Sequence, residues 1–383
     1  MCGHEKSEMA EKATTDVLRE LAGFRASKGR AISLYVALDP SAAINPGDVQ
    51  TRANSLLSEA RSEVDADGLS HDQREALKAD LERIDEFFQG LDRDGVRGMA
   101  VFASQLDGIW RTLRLPQAVH DVVKVNDGFH LSPLVPLLRG LDGSLVVQVG
   151  REQGRFFRLD RGQLHEVADH TEDAPGQHDQ GGWSQARYQR HIDKLVHDHL
   201  KAVADELDRR KRGGAPRIVL VGTEEMKSDF VETLSKETQQ AIVGWTTADA
   251  HAGPAQLLEA AMPLLEKARA EEETELVEAW KEAAGKGGRA ASGWAETLEA
   301  ASDAAVETLL VQDGAEQSAY ECPKCGRAQL EGGDCPLDGT PLELNEGLDL
   351  AVRHTLAMGG SVVPLNHRQD LAPVGGIGAL LRF

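Results

Sequence analysis

Residues 181–190 read Gly181-Gly182-Trp183-Ser184-Gln185-Ala186-Arg187-Tyr188-Gln189-Arg190 and constrain the fold more than any other stretch of this 383-residue chain. Upstream, Asp169 to Gly182 is polar and rich in Gly, His and Asp. Downstream, Ile192, Leu195, Val196, Leu200, Val203 and Leu207 recur at the spacing of one helical face. A two-glycine tip therefore abuts a long amphipathic helix that must lie on an apolar surface. Adjacent glycines let the backbone press against another backbone or a nucleic acid. Arg187 and Arg190, on the first turns of the helix, suit phosphate contact just behind such a tip. The helix ends in Arg209-Arg210-Lys211-Arg212-Gly213-Gly214, where cations complement the C-terminal dipole and glycines stop the helix. The apolar run Ile218–Val221 follows, and strand-helix-strand order implies an α/β sheet.

The rest of the chain falls into segments on either side. Before it, the patterning predicts a helix over 15–24, a strand over 31–38, helices over 49–65 and 72–90, and a strand over 98–102. Leu131–Gly143, with Pro133 and Pro136, reads as a passage to the next domain. A hairpin of 145–149 and 155–159 turns at Gly150 and Gly154. From Gly253 the chain is helix-rich to Ala284, and Gly285-Lys286-Gly287-Gly288-Arg289 reads as a flexible basic break. A helix at 292–299, a strand-like run at 304–311, a cysteine-bearing insert, a helix at 347–358 and a final strand at 379–383 complete it. The expected architecture is a three-domain α/β (α+β) protein, divided 1–137, 138–252 and 253–383, with the insert at about 320–344.

Charge narrows the function. The formal net charge is −21, which argues against promiscuous nucleic-acid binding and leaves only contact through local basic clusters. There is no 18-residue apolar run, so no membrane span is expected. The start, Met1-Cys2-Gly3-His4-Glu5-Lys6, lacks a basic-then-apolar signal, and the expected location is the cytoplasm. Of four cysteines, three cluster at Cys322, Cys325 and Cys335, which is metal spacing rather than a disulfide framework. Cys322-Pro323-Lys324-Cys325-Gly326 and Cys335-Pro336-Leu337-Asp338-Gly339 look like the two knuckles of a zinc ribbon. Asp338 stands where the second knuckle's second cysteine would be, giving a closed, structural Cys3Asp zinc site or a ribbon that keeps its shape without metal. His170, His178 and His191, with Asp169, Asp173 and Asp179, surround the glycine pair without ligand-type spacing and read as solvated loop residues.

The run at 181–190 resembles the Gly-Gly-Gln segment of the eukaryotic and archaeal class-1 peptide chain release factors. Gly181, Gly182, Ser184, Arg187, Tyr188 and Arg190 match that pattern in register, and Trp183 replaces its glutamine. The close Gly375-Gly376-Ile377-Gly378-Ala379-Leu380-Leu381-Arg382-Phe383 is similar to the end of the release-factor C-terminal domain. Ala304–Val311 resembles the strand that opens its sheet, and Ala31–Tyr35 resembles the first strand of the family. The first domain departs from the pattern. Asp48–Asn54 lacks the stop-codon-reading Asn-Ile-Lys-Ser motif, with Arg52 and Asn54 matching its flanks. The chain is thus more similar to the bacterial branch of the release factor and Pelota superfamily, which includes ribosome-rescue (Pelota-like) and ribosome-hibernation (Balon-type) relatives.

That resemblance implies a ribonuclease-H-like central domain carrying the Gly-Gly loop and a C-terminal α/β sandwich. It implies a translation factor that occupies the ribosomal A site and meets rRNA at the peptidyl transferase centre, with delivery by a translational GTPase such as elongation factor Tu. In the family the glutamine positions a water against the peptidyl-tRNA ester. An indole only donates a hydrogen bond, so Trp183 does not replace that carboxamide, whereas it can stack on a base. The implied role is hibernation or protection without stop-codon reading. Gln185 is the candidate catalytic group for the alternative, a peptidyl-tRNA hydrolase that rescues stalled ribosomes. A non-ribosomal RNA-binding or nuclease-like protein ranks last, because no convincing carboxylate set for two metals lies on the strands. DNA and membranes are not expected partners.

Overall fold

The computed structural model describes residues 11–12, 15–38, 46–66, 68–91, 96–138, 140–160, 162–170 and 185–383. Two compact units result. Leu141–Glu272 is one, and the segments up to Gly140 and from Glu273 together make the other.

The first segment contains β1 (Glu11–Lys12), α1 (Thr15–Gly23), β2 (Ala31–Ala37), α2 (Pro46–Ala66), α3 (His71–Gln89), β3 (Gly98–Ser104), β4 (Ile109–Leu115) and β5 (Val122–Asn126). Its strands order β1-β4-β3-β2-β5. Antiparallel β2 and β3 set Leu34 opposite Val101 and Tyr35 opposite Ala100. Side-chain alternation then decides which core each residue joins. Ile32, Leu34, Val36, Met99 and Val101 pack with Leu57 of α2 and Leu81 and Ile84 of α3. Tyr35, Ala100 and Phe102 face the other way, with Leu18 and Leu21 of α1. A reciprocal capping box between Ser70 and Gln73 fixes where α3 begins.

The middle unit runs β6 (Leu145–Val149), β7 (Gly154–Asp160), β8 (Gln163–Asp169), α4 (Gln185–Arg212), β9 (Ile218–Val221), α5 (Glu224–Val231), α6 (Lys236–Ala241), β10 (Ile242–Thr246) and the first part of α7 (Pro254–Gly285). Its sheet orders β10-β9-β6-β7-β8. β6 is parallel to β9 and β9 to β10, whereas β7 and β8 add antiparallel. Val147, Phe156 and Leu220 pack under Leu200, Val203 and Leu207 of α4. Val146, Phe157 and Val219 pack on Leu257, Ala261 and Leu265 of α7. Helices therefore cover both faces of the sheet. Leu195, expected on the buried stripe, is 37% exposed. One residue rotates an α-helix by about 100°, and it is the next residue, Val196, that faces the core.

The last segment adds β11 (Ala290–Ser292), α8 (Gly293–Ser302), β12 (Val306–Gln312), β13 (Ser318–Glu321), β14 (Ala328–Gln329), β15 (Glu343–Glu346), α9 (Gly347–Ala357), β16 (Ser361–Leu365) and β17 (Ile377–Leu381). One sheet orders β11-β17-β12-β16, and the insert forms its own sheet, β14-β13-β15. Leu310, Val363 and Leu365 cover Val277 and Trp280 of α7. Leu309, Ile377 and Ala379, with Leu298 of α8 and Leu350 of α9, join the same core as Tyr35 and Phe102.

A buried ionic network crosses that shared core. Asp349, 2% exposed at the start of α9, accepts N–H bonds from Leu131 at 2.6 Å and Ser132 at 3.2 Å. His130 Nδ1 lies 3.3 Å from the same carboxylate, and Arg353 Nε donates to its other oxygen at 3.0 Å. Arg353 also donates to Glu321 at 2.9 Å. Gly128 makes this possible, since a Cβ there would collide with the Arg353 guanidinium. Burial works against an ionised Asp349, but the His130 hydrogen bond, the Arg353 charge and the Leu131 N–H outweigh it and bring its pKa from 3.8 down to about 2. A depressed carboxylate pKa contributes stability above its unfolded value that is lost as pH falls through the folded one. Unfolding free energy should therefore drop between pH 4 and pH 2, and Asp349→Asn should flatten that drop in urea titrations. Asp349→Ala leaves the Arg353 Nε–H and two backbone N–H groups without their acceptor, at an expected cost of about 3–5 kcal/mol.

Candidate functional sites: the helix behind the glycine pair and the paired knuckles

Gly181, Gly182, Trp183 and Ser184 lie outside the described residues, as do the side chains of Gln185 and Arg187. Gln185 is the first residue of α4. Along that helix Arg190, Lys194, His197 and Lys201 are exposed. They follow a 4-3-4 spacing, which places them in one row down one side of a helix. At 1.5 Å per residue the row is about 16 Å long. Asp198 is an exposed carboxylate within its span and Asp205 one just beyond it. Lower on α4 the cations have structural work. Arg210 bonds Glu206 at 2.6 Å and the Val167 carbonyl at 2.9 Å, tying the helix to β8. Lys211 closes the helix end onto the Ala215 carbonyl. Of the histidines near the loop, His170 stands 3.9 Å from Glu206, His191 is exposed, and His178 lies outside the described residues.

The knuckles repeat each other bond for bond. In the first, Cys322 N donates to Arg327 O at 2.9 Å and Gly326 N to Cys322 O at 2.9 Å. In the second, Cys335 N donates to Thr340 O at 2.8 Å and Gly339 N to Cys335 O at 2.9 Å. Gly326 and Gly339 both take left-handed conformations, φ 80° and 71°, which favour glycine. In this correspondence Asp338 occupies the place of Cys325. The ligating atoms of Cys322, Cys325, Cys335 and Asp338 all lie within 4.8 Å of one another. Cys325 Sγ is 3.5 Å from Cys335 Sγ, and Cys322 Sγ is 3.7 Å from Asp338 Oδ1. A tetrahedron built on 2.3 Å zinc–sulfur bonds has edges of about 3.8 Å, so the donor set fits zinc. Burial disfavours a Cys322 thiolate, but the N–H groups of Cys325 and Lys324 prevail and hold its pKa below the ordinary thiol value.

Arg25, at the end of the first segment's helix, was invisible in this role from sequence. Its guanidinium donates to Cys322 O at 3.2 Å and Pro323 O at 2.8 Å, and pairs with Glu321 at 3.3 Å. The partners stand 297 residues apart, and no local pattern marks the pairing.

Fold and site together define a mixed α/β protein with a long helix, α4, that carries an exposed basic row, and a paired-knuckle insert that forms its own small sheet. Residues 130–266 match the family model "Bacterial archaeo-eukaryotic release factor family 10". The chain is 26% identical to peptide chain release factor subunit 1 of Archaeoglobus fulgidus, over 98% of each protein. It is 26% identical to the Pyrococcus abyssi protein of the same name, over 79% of this chain and 83% of that one. Among solved structures, the archaeal translation termination factor aRF1 is 19% identical, with a TM-score of 0.28 and 96% of each chain covered. A model of ribosome-bound archaeal Pelota is 15% identical, with a TM-score of 0.41, over 98% of this chain and 95% of that one. The chain is thus similar to a bacterial archaeo-eukaryotic release factor family over residues 130–266 and to archaeal peptide chain release factor subunit 1 over nearly its full length.

Two outcomes follow from the knuckle geometry. The purified chain should hold one zinc by elemental analysis, and Cys335→Ser should lose it. Gly326→Ala forces a side chain into a left-handed residue and toward Arg25 Nη1, which lies 2.8 Å from the Cβ position. It should lower stability by about 1–2 kcal/mol in thermal or urea unfolding.

Proposed function

We propose that this chain occupies the ribosomal A site and holds the ribosome idle or protected, without reading a stop codon. The observation that carries this reading is the exposed basic row Arg190, Lys194 and Lys201 on α4, which follows Gly181-Gly182-Trp183 in the sequence, in a chain whose net charge is −21. Such a row concentrates phosphate affinity at one place on an otherwise repelling molecule. Trp183 at the tip favours stacking on an rRNA base over hydrolysis of peptidyl-tRNA. The functional division into residues 1–137, 138–252 and 253–383 assigns the loop and α4 to the middle part. The order β10-β9-β6-β7-β8, antiparallel on one side and parallel on the other, supports the ribonuclease-H-like reading of that part. The Cys3Asp centre supplies a structural zinc to the last part, delivery by a translational GTPase fits the family, and the setting is the cytoplasm.

Gln185 carries the second reading. It begins α4 two residues beyond Trp183 in the sequence, and in this reading it takes over the role of the family's glutamine. Sucrose-gradient sedimentation with ribosomes, paired with peptide release from P-site peptidyl-tRNA, separates the two. Binding without release supports the idle-ribosome reading. Release that disappears in Gln185→Ala supports a rescue hydrolase. Trp183→Ala should weaken ribosome binding by about ten-fold, as expected for the loss of one stacked base. Lys194→Glu with Lys201→Glu should weaken it further and reduce its dependence on salt. Unchanged affinity in both variants would overturn the proposed contact.

A further inference from the structure

The two knuckles share a backbone but not a chemistry. One offers Cys322 and Cys325, the other Cys335 and Asp338. Thiolates are soft ligands suited to zinc, and a carboxylate in place of one loosens the grip. Cys325 is exposed, whereas Cys322 and Cys335 are buried. An exposed cysteine with a second sulfur 3.5 Å away is the arrangement in which a sulfenic acid, once formed, resolves to a disulfide. The same knuckle is gripped from the first segment. Arg25 holds the carbonyls of Cys322 and Pro323, and the Cys322 carbonyl also closes the turn by accepting Gly326 N–H. What fixes that turn therefore also fixes the acceptors that Arg25 uses.

We propose that the Cys3Asp centre is an oxidant-sensitive clasp. A peroxide oxidises Cys325 and Cys335 to a disulfide, the metal leaves, and Arg25 loses its hold on the first knuckle. The Cys325 thiolate attacks the O–O bond, forming an S–O bond and expelling hydroxide. The Cys335 sulfur then attacks the Cys325 sulfur and expels the second hydroxide. The two sulfurs lose two electrons, the peroxide gains them, the two hydroxides are neutralised by protons from the buffer, and the two thiolate charges lost are matched by the departing divalent metal cation. Asp338 and Cys322 remain as a two-ligand remnant, too few for a closed zinc site.

The test uses the full-length, zinc-loaded chain and a few-fold excess of hydrogen peroxide. Zinc release is followed with a chromophoric chelator, the disulfide by non-reducing peptide mapping, and the Arg25 contact by hydrogen exchange over residues 24–30. The expected result is one zinc released per Cys325–Cys335 disulfide, with exchange over 24–30 accelerated about ten-fold. Dithiothreitol with added zinc should restore protection. Asp338→Cys, which completes four thiolates, should release zinc about ten-fold more slowly at the same peroxide concentration. Zinc and thiols untouched by peroxide would overturn the oxidant sensitivity. A disulfide to Cys322 would overturn the residue assignment, and a Cys325–Cys335 disulfide with unchanged exchange over 24–30 would overturn the clasp.

Discussion

The flanking unit depends on a carboxylate that has been taken out of water. Asp349 is buried at the start of α9, and it survives as an anion because each oxygen has a donor fixed by another part of the chain. Two backbone N–H groups after His130 reach it from the first segment, and Arg353 reaches it from its own helix one turn on. A buried ion costs several kcal/mol to desolvate, so a network like this adds little net stability but strongly penalises any arrangement that leaves a member alone. It works as a positional lock. Arg353 passes the constraint to Glu321, which also meets Arg25, and so to the first knuckle. Burial would raise the Glu321 pKa, yet His354, Arg353 and Arg25 together bring it below the ordinary carboxylate value, which keeps the chain of charges intact.

Much of this architecture was legible in the sequence where local periodicity matched burial. The 3.6-residue spacing of Leu200, Val203 and Leu207 located α4 and its buried face. The strands expected at 31–38 and 98–102 are Ala31–Ala37 and Gly98–Ser104, buried along nearly their full length. The knuckles were visible because tight metal turns impose a fixed spacing. What escaped were short or half-exposed strands. β8, Gln163–Asp169, alternates with mostly exposed residues, and β10 is half-buried throughout. β16 contains Pro364, which ordinarily argues against a strand. It is tolerated because, among the described residues, β16 is the edge of its sheet and pairs with β12 alone. The basic stretch at 285–289 read as a break, and the structure passes through it into β11, which pairs with β17.

The candidate sites divide along the same line. Ligand identity and spacing at Cys322, Cys325, Cys335 and Asp338 are sequence properties, and the structure brought the four together. The exposed row Arg190, Lys194, His197 and Lys201 has its period in the sequence too, but becomes informative only once the opposite face of α4 is known to be buried. Arg25 lies beyond local reasoning altogether, because its partners are fixed by how distant segments pack.

The shared core has a consequence for synthesis. Tyr35 and Phe102 lie in the same cluster as Leu298, Leu309 and Leu350. A nascent chain that has emerged only through its first sheet therefore presents an apolar face whose cover has not yet been translated. Contacts of such long sequence separation form late and slowly. Chaperones would meet that face on every unfinished copy, and a chain truncated before α8 would carry it permanently. Synthesis of α8, β12 and α9 is thus registered in the hydrophobic surface of the first sheet.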